Sequence, residues 1–573
     1  MNDKLKLQDW TKEQLIDEVV KLRKRKRYGL VWEENPENVV EQCRSELPVL
    51  KEVKNKAITK DKNGPVNILI EGDNYHALSV LNYTHKGKID AIYIDPPYNT
   101  GAKDWKYNNR FVDSNDSYKH SKWLSMMNSR LKLSKNLLSD TGIICCTVDD
   151  YEAPRLTMLM DEIFGEQNRL GIVVIKNNPS GRSTERGFSI AHEYALFYSR
   201  SQKSSIGRLP RTDAQISRYK EVDKNGRFEW VNFRKHGAVK EESPKMFYPI
   251  YVSKENIRVP EMKWDENNQE WIPTDKPSKK EQVIYPIDEH GFNRRWKWGL
   301  KRAKKEIGEM KVQKDRNGNS AIYIKSRLND KGMLPLTWWD KTEYSATAYG
   351  TNLLKKLFGK LQVFSYPKSI YAVTDCLKVL CLNKNGVFLD FFAGSGTTGH
   401  AVLMLNNEDE GNRKFILCTN NENNIATDVC YPRIKKVIDG YKEYGEITKI
   451  PANLKYFRTN FVSAQPDDKN KEILTNQATE MLCMREDAFE SVKEMALIKI
   501  FKNSKQHIGI VFDETAIPVI KKEITSIGGN WKLYIFSHSD DDFQEEFEGM
   551  GQKINIEPIP EAILKTYRRL FKP

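Results

Sequence analysis

The chain lacks the features that would mark a membrane, secreted or metal-binding protein. No apolar run in its 573 residues approaches the roughly 20 needed to cross a bilayer. The amino-terminal stretch has no apolar core of the signal-peptide kind, so a cytoplasmic protein with no membrane association is expected. Cysteine is scarce, at eight residues, and no pair shows the C-x-x-C spacing of zinc or redox sites. Cys145 and Cys146 lie inside an apolar run and read as buried thiols; no metal is expected. What the chain has in quantity is charge. Charged residues make up 30% and apolar ones 39%, and 92 Lys and Arg against 78 Asp and Glu leave a formal charge of +14. That balance fits a globular protein of two to four domains and favours a polyanionic partner, because cations that neutralise phosphates release condensed counterions.

One stretch organises the rest. Ile89 to Ile94 reads as a buried strand, and Pro96-Pro97 stops it because neither residue can donate a ladder hydrogen bond. Asp95 is thereby left at a strand's carboxyl end, where open α/β sheets bind ligands, with Tyr98 held close by the rigid Pro-Pro. Such a group suits an amine that must be made nucleophilic. The exocyclic nitrogen of adenine or cytosine shares its lone pair with the ring. Asp95 and the Pro96 carbonyl are candidate acceptors for its two N–H bonds, and Tyr98 is a candidate stacking surface. A base in a duplex is out of reach of such a site, so it must be flipped out at a cost of about a few kcal/mol.

The same strand-then-acid pattern recurs. Ile68 to Ile70 leads to Gly72-Asp73-Asn74 and a helix from Tyr75, and Ile143 to Val148 leads to Asp149-Asp150. Further strands are expected at Ile172 to Ile175 and Tyr194 to Tyr198. His192 reads as a turn histidine with a structural hydrogen bond. Val387 to Asp390 is another strand, and Phe391-Phe392-Ala393-Gly394-Ser395-Gly396-Thr397-Thr398-Gly399 is a glycine-rich turn into a helix through Leu405. The backbone there can approach a ligand at a helix N-terminus. Gly394, Gly396 and Gly399 match the dinucleotide fingerprint, with Glu422 after the strand Phe415 to Thr419 as the ribose acid. The match fits a nicotinamide dinucleotide or S-adenosylmethionine equally.

Trp10 to Leu15 has the form of a capping box with Thr11 as cap, and Lys21 to Arg27 is a basic helix end. From Ser201 to Tyr366 the α/β rhythm is lost and seven of the twelve tryptophans occur. Within it Arg294-Arg295-Trp296-Lys297-Trp298 interleaves cations with rings, a composition suited to DNA binding or, equally, to a small core with a charged surface. After Gly440 a second, smaller α/β pattern appears, with runs at Ala496 to Ile500, Ile508 to Phe512, Leu533 to Phe536 and Ile554 to Ile556.

Asp95-Pro96-Pro97-Tyr98 together with Phe392-Ala393-Gly394-Ser395-Gly396 resembles the DNA amino-methyltransferases, and the motif order resembles their beta class, the N6-adenine enzymes. Gly72-Asp73-Asn74, Asn177 to Arg182 with His192-Glu193-Tyr194, and Asp428 to Arg433 look closest to the modification (Mod) subunits of type III restriction-modification systems. The resemblance covers roughly 65–200 and 365–573. It implies an α/β fold with a doubly wound, mostly parallel Rossmann-like sheet, an inserted target-recognition domain and a small C-terminal α/β domain. The segments are 1–50 (helical), 51–200 (catalytic motif), 201–366 (recognition), 367–445 (cofactor loop) and 446–573 (C-terminal, for subunit or partner contact). Asp95, Pro96, Pro97 and Tyr98 become catalytic residues. Asp73, Asp95, Asp390, Phe392, Gly394, Gly396, Thr397, Thr398 and Glu422 become contacts of S-adenosylmethionine, with Asp73 at its adenine ring and Glu422 at its ribose. The implied partners are duplex DNA, a second copy in a homodimer, and a restriction (helicase-nuclease) subunit. Three alternatives stay open: a cytosine-N4 enzyme, although that group more often has Ser at the position of Asp95; a nicotinamide-dependent oxidoreductase; and a non-catalytic DNA-binding subunit.

Overall fold

The computed structural model describes residues 11–13, 15, 16, 32, 33 and 36–571, except 109, 114, 184–186, 255, 316, 330, 360–362, 444, 445, 539, 540 and 542. The capping box of Trp10 to Leu15, which needs Trp10 and Gln14, and the basic cluster of Lys21 to Arg27 lie outside the described residues. Two compact units form, one from 1–207 with 335–573 and one from Arg208 to Leu334.

The first unit is built on an eleven-stranded sheet: β1 (Glu46–Glu52), β2 (Ile58–Thr59), β3 (Val66–Glu71), β4 (Ile89–Ile94), β5 (Leu138–Val148), β6 (Arg169–Ile175), β7 (Glu193–Ser199), β8 (Trp338–Trp339), β9 (Val387–Asp390), β10 (Lys414–Thr419) and β11 (Asn453–Ser463). Their order is β1-β11-β3-β10-β9-β4-β5-β7-β6-β8, with β2 on β11. From β11 to β5 every pairing is parallel. β1 and β7 are antiparallel to their neighbours. The central strands are apolar runs because both faces are covered. Ile92, Ile94, Ile144 and Cys146 face the core shared with Leu78, Trp123 and Leu156 of helices Asn74–Thr84, Lys119–Leu137 and Ala153–Phe164. The alternate residues Tyr93 and Cys145 meet Cys376 of helix Ile370–Leu380, as a period of two requires. All eight cysteines are free thiols, and seven are buried. Trp338 and Trp339, expected in the inserted region, instead form the edge strand beside β6.

The interleaving of the two halves of the chain sets up the site. β9 pairs directly with β4, Leu389 opposite Ile92, so the turn after β9 and the turn after β4 emerge side by side at the carboxyl edge. β7 runs the other way, which brings its amino end, and Glu193, to that same edge.

The C-terminal sheet comprises Glu490–Glu494, Ile498–Lys502, His507–Val511, Trp531–Phe536 and Ile554–Ile559 in that order. Ile500, Leu533 and Ile535 face its own core with helix Ile517–Ile527. Ile508, Ile510 and Tyr534 face the other way and join the core around Leu78 and Leu81. Among the described residues no helix is long and apolar enough to cross a membrane.

The second unit is mostly β. Its largest sheet orders Glu221–Asp223, Gly226–Asn232, Ser320–Arg327 and Met310–Lys314. Its core is aromatic: Phe233 stacks on Trp296 with centroids 4.8 Å apart, and Tyr248 and Trp298 complete the cluster.

Candidate active site

Asp95 leaves the end of β4 and the prolines turn the chain away. The Trp123 indole donates to the Pro97 carbonyl at 2.7 Å, and Asn99, at φ 58°, donates to Glu152 at 2.5 Å. These contacts fix the turn that presents Asp95 and Tyr98. Around Asp95 Oδ1 converge the Thr147 hydroxyl at 2.7 Å, the Tyr98 hydroxyl at 2.9 Å and the Lys368 ammonium at 3.0 Å. The Tyr98 hydroxyl is also 2.9 Å from Glu193, whose carboxylate accepts from Asn177 at 2.8 Å and from Lys368. Glu193 is 2% exposed and Lys368 12%, whereas Asp95 keeps 25% of its side chain open. Burial alone would discharge Lys368, but the carboxylates of Asp95 and Glu193 outweigh it and hold the ammonium above the ordinary lysine range. Burial, with the same two carboxylates, pushes the Tyr98 phenol well above its usual value, so it remains a donor.

On the next strand the glycine loop is shaped from beneath. Asp390 accepts from the Phe392 amide at 2.9 Å and from the Thr398 hydroxyl at 2.5 Å. Burial, offset in part by those bonds, pushes its carboxyl up to about 7. Arg433, fully buried, donates to Ser395 Oγ at 3.0 Å and Thr397 Oγ at 2.7 Å, and burial lowers it to about 10. Asn74 ties the end of β3 to the Phe391 carbonyl at 2.9 Å. Gly394 and Gly396 adopt φ of 49° and 78°; a Cβ would meet Phe364 at 3.2 Å in the first case and Cys430 Sγ at 3.1 Å in the second. The loop opens the 13-residue helix Thr397–Asp409.

Several sequence expectations change here. Asp390, Thr397 and Thr398 were expected as cofactor contacts; their side chains are buried and bonded inside the protein, where they shape the loop. Phe392 and Gly394 are partly exposed, whereas Gly396 is buried. Asp73 caps helix Asn74–Thr84 by accepting from the Tyr75 amide at 2.7 Å and pairs with Arg130 at 3.3 Å. Glu422 follows β10 at the same edge and pairs with Lys106 of the hairpin Ala102–Asp113. Of the expected DNA-binding residues, Trp296 and Trp298 are 2% and 7% exposed and cannot stack on bases. The physical reason is alternation: residues two apart share a face, and here that face is the core. Arg294 is paired with Asp288 at 2.6 Å, Arg295 lies against Ser243 and Met246, and Lys297 is exposed.

Residue-by-residue reading missed Lys368, Glu193, Asn177 and Thr147. A signal was present for Glu193, a carboxylate directly ahead of an apolar strand; its neighbour His192 only packs edge-on against Tyr194 at 5.0 Å. Among the described residues no group of three or more His, Cys, Asp or Glu is placed to hold a metal.

The site is an acid-and-aromatic turn on one parallel strand beside a glycine loop on the next, and the chain's family match makes it that of a group-transfer enzyme of the α/β methyltransferase class. Residues 89–428 match the DNA methylase family, and the chain belongs to it: it is a DNA methyltransferase. The Type II methyltransferase M.KpnI of Klebsiella pneumoniae is 34% identical over 409 residues, covering 70% of this chain and 89% of that protein. The Type III restriction-modification enzyme EcoPI Mod subunit of Escherichia phage P1 is 32% identical over 416 residues, covering 67% of this chain. This chain spans 61% of the EcoPI subunit's length. Among solved structures, the PvuII DNA methyltransferase (cytosine-N4-specific) shows a slight likeness, with 12% identity, a TM-score of 0.32, and coverage of 65% of this chain and 89% of that one.

Proposed function

We propose that this enzyme methylates the N6 amino group of adenine in duplex DNA, on a flipped-out base, as the modification component of a restriction-modification system. The observation that carries the reading is Asp95: a partly exposed carboxylate, fixed by Thr147 and Tyr98, on the strand adjacent to the glycine loop. Its role is to accept one N–H of the target amine and so draw the nitrogen lone pair out of the ring. Tyr98 offers a ring face to the base and, through its hydroxyl, holds Asp95 in place.

S-adenosylmethionine, when bound, supplies the electrophilic methyl group. The chain's own residues fit it: two glycines at positive φ leave the loop bare of side chains at a helix N-terminus, and Glu422 stands at the end of the neighbouring strand to take ribose hydroxyls. Asp73 is the candidate for the adenine ring. The Arg208–Leu334 unit is the candidate for sequence recognition, with Lys297 as a phosphate contact. A homodimer and a restriction subunit are the partners we infer from the Mod subunits.

The test is incubation with isotopically labelled S-adenosylmethionine and mixed-sequence DNA, then digestion to nucleosides. Labelled N6-methyl-2′-deoxyadenosine is expected. N4-methyl-2′-deoxycytidine in its place, or no labelled nucleoside with any DNA, would overturn the reading.

A further inference from the structure

Lys368 already makes one of the contacts that the target amine needs, the bond to Asp95, and sits at the hydroxyl end of the Tyr98 ring. Its Nζ lies 3.0 Å from Asp95 Oδ1 and 4.6 Å from the centroid of the Tyr98 ring, and it bonds Glu193 and the Tyr98 hydroxyl. An extruded adenine would donate to the same Asp95 and seek the same ring. We propose that Lys368 is a placeholder for the target base: in the free enzyme its ammonium occupies the amino-group site, and insertion of the base exchanges one N–H donor on Asp95 for another. This rests on the reading of Asp95 and Tyr98 as the amine site.

The arrangement has a physical reason. Asp95 and Glu193 both reach the Tyr98 hydroxyl, and two carboxylates that close, one of them fully buried, are costly without a cation between them. Glu193 gives the ammonium somewhere to stay when Asp95 is surrendered; Asn177 holds that carboxylate from the other side. The lysine stem, unlike a planar guanidinium, lets a point charge shift from one oxygen to the other. Selectivity follows. A base with an exocyclic amino group restores a donor to Asp95. A base carrying only a carbonyl there displaces the ammonium without returning a donor to Asp95, which then keeps only Thr147 and Tyr98, and sets its own carbonyl oxygen against the carboxylate. Lys368 thus acts as a filter for amino-bearing bases, on which adenine and cytosine score alike.

The test uses a duplex with the sequence that the wild-type enzyme methylates, and compares wild type, Lys368→Met and Lys368→Gln. With no ammonium to displace, KM for DNA should fall by about tenfold in the Met variant, and any loss of kcat from leaving Asp95 and Glu193 without their cation should be smaller than that gain. The Gln variant should move the same way by less. With 2-aminopurine at the target position, fluorescence at saturating enzyme should be higher for Lys368→Met than for wild type. An unchanged KM with a large loss of kcat would overturn the proposal and make Lys368 a positioning residue for Asp95; a raised KM would make it a DNA contact. If neither variant binds cofactor as wild type does, a structure of the wild-type enzyme with its target duplex decides. Lys368 withdrawn from Asp95 supports the placeholder, and Lys368 still on Asp95 with the base inserted overturns it. Failure of the underlying reading shows separately, as methylation that persists in Asp95→Ala.

Discussion

Two polar clusters lie side by side at the carboxyl edge of one sheet and are built in opposite ways. Around Asp95 charge meets charge: a carboxylate that is a quarter exposed, a buried carboxylate and an ammonium brought from 270 residues beyond Tyr98. Around Gly394 the side chains are buried hydroxyls, one carboxyl and one guanidinium, each bonded to the loop itself, and only backbone and Phe392 face outward. The first cluster can exchange partners; the second is fixed. On the proposed function the first is the amine site and the second the cofactor loop, so perturbations of the two should not look alike.

The largest effect is expected at Asp95. Asp95→Ala should lower kcat by about a thousandfold, because the lost acceptor matters most in the transition state. Turnover within tenfold of wild type would move the chemistry away from this turn. Tyr98 comes next. A role limited to its ring face would leave Tyr98→Phe mild, yet the hydroxyl bonds Asp95 and reaches Glu193. The Phe variant should therefore lose about tenfold in kcat, with Ala lower still; a Phe variant equal to wild type would confine Tyr98 to stacking.

On the loop side the effect is one of stability and pH. The Asp390 carboxyl is raised in the fold to about 7 from an unfolded value of 3.8. The folded state therefore holds a proton that the unfolded chain gives up between those values. The resulting stabilisation is full below the unfolded pKa and is lost as pH rises through the folded one. Relative to Asp390→Asn, wild type should gain thermal stability as pH falls from 8 to 5, by on the order of a few degrees in Tm. Asp149, also raised to about 7 by burial, is present in both proteins and cancels. A difference that is flat or opposite in sign would show that Asp390 is ionised throughout. The smallest effect belongs to the other unit. Lys297→Ala should lower the slope of log affinity for DNA against log salt by about one. Arg294→Ala, which unpairs Asp288, should act on that unit's stability instead.

Much of this edge was legible in the sequence because its strands are apolar runs that stop at Gly, Pro or an acid. Ile89 to Ile94 and Val387 to Asp390 coincide with β4 and β9, and the Pro-Pro turn announces Asp95. Lys368 and Glu193 were not legible as partners of Asp95. They are 175 residues apart in the chain, and Glu193 reaches the edge only because β7 runs antiparallel, a direction no apolar run encodes. Composition left Trp296 and Trp298 open between nucleic-acid contact and a small core, where the two-residue spacing already put both rings on one face of an extended segment. Asp390 and Thr398 show the same limit: a motif names residues near a ligand without saying which of them bend the backbone to meet it.

The most direct measurement is calorimetric titration of S-adenosylmethionine into Asp95→Ala and Gly394→Val, with methyl-transfer rates for both. Gly394 stands at φ 49° with Phe364 3.2 Å from where a Cβ would lie. Valine there should weaken cofactor binding by roughly tenfold to a hundredfold, while Asp95→Ala binds the cofactor as wild type does and turns over almost none. Equal losses of cofactor affinity in the two variants would contradict the division of this edge into an amine site and a cofactor loop.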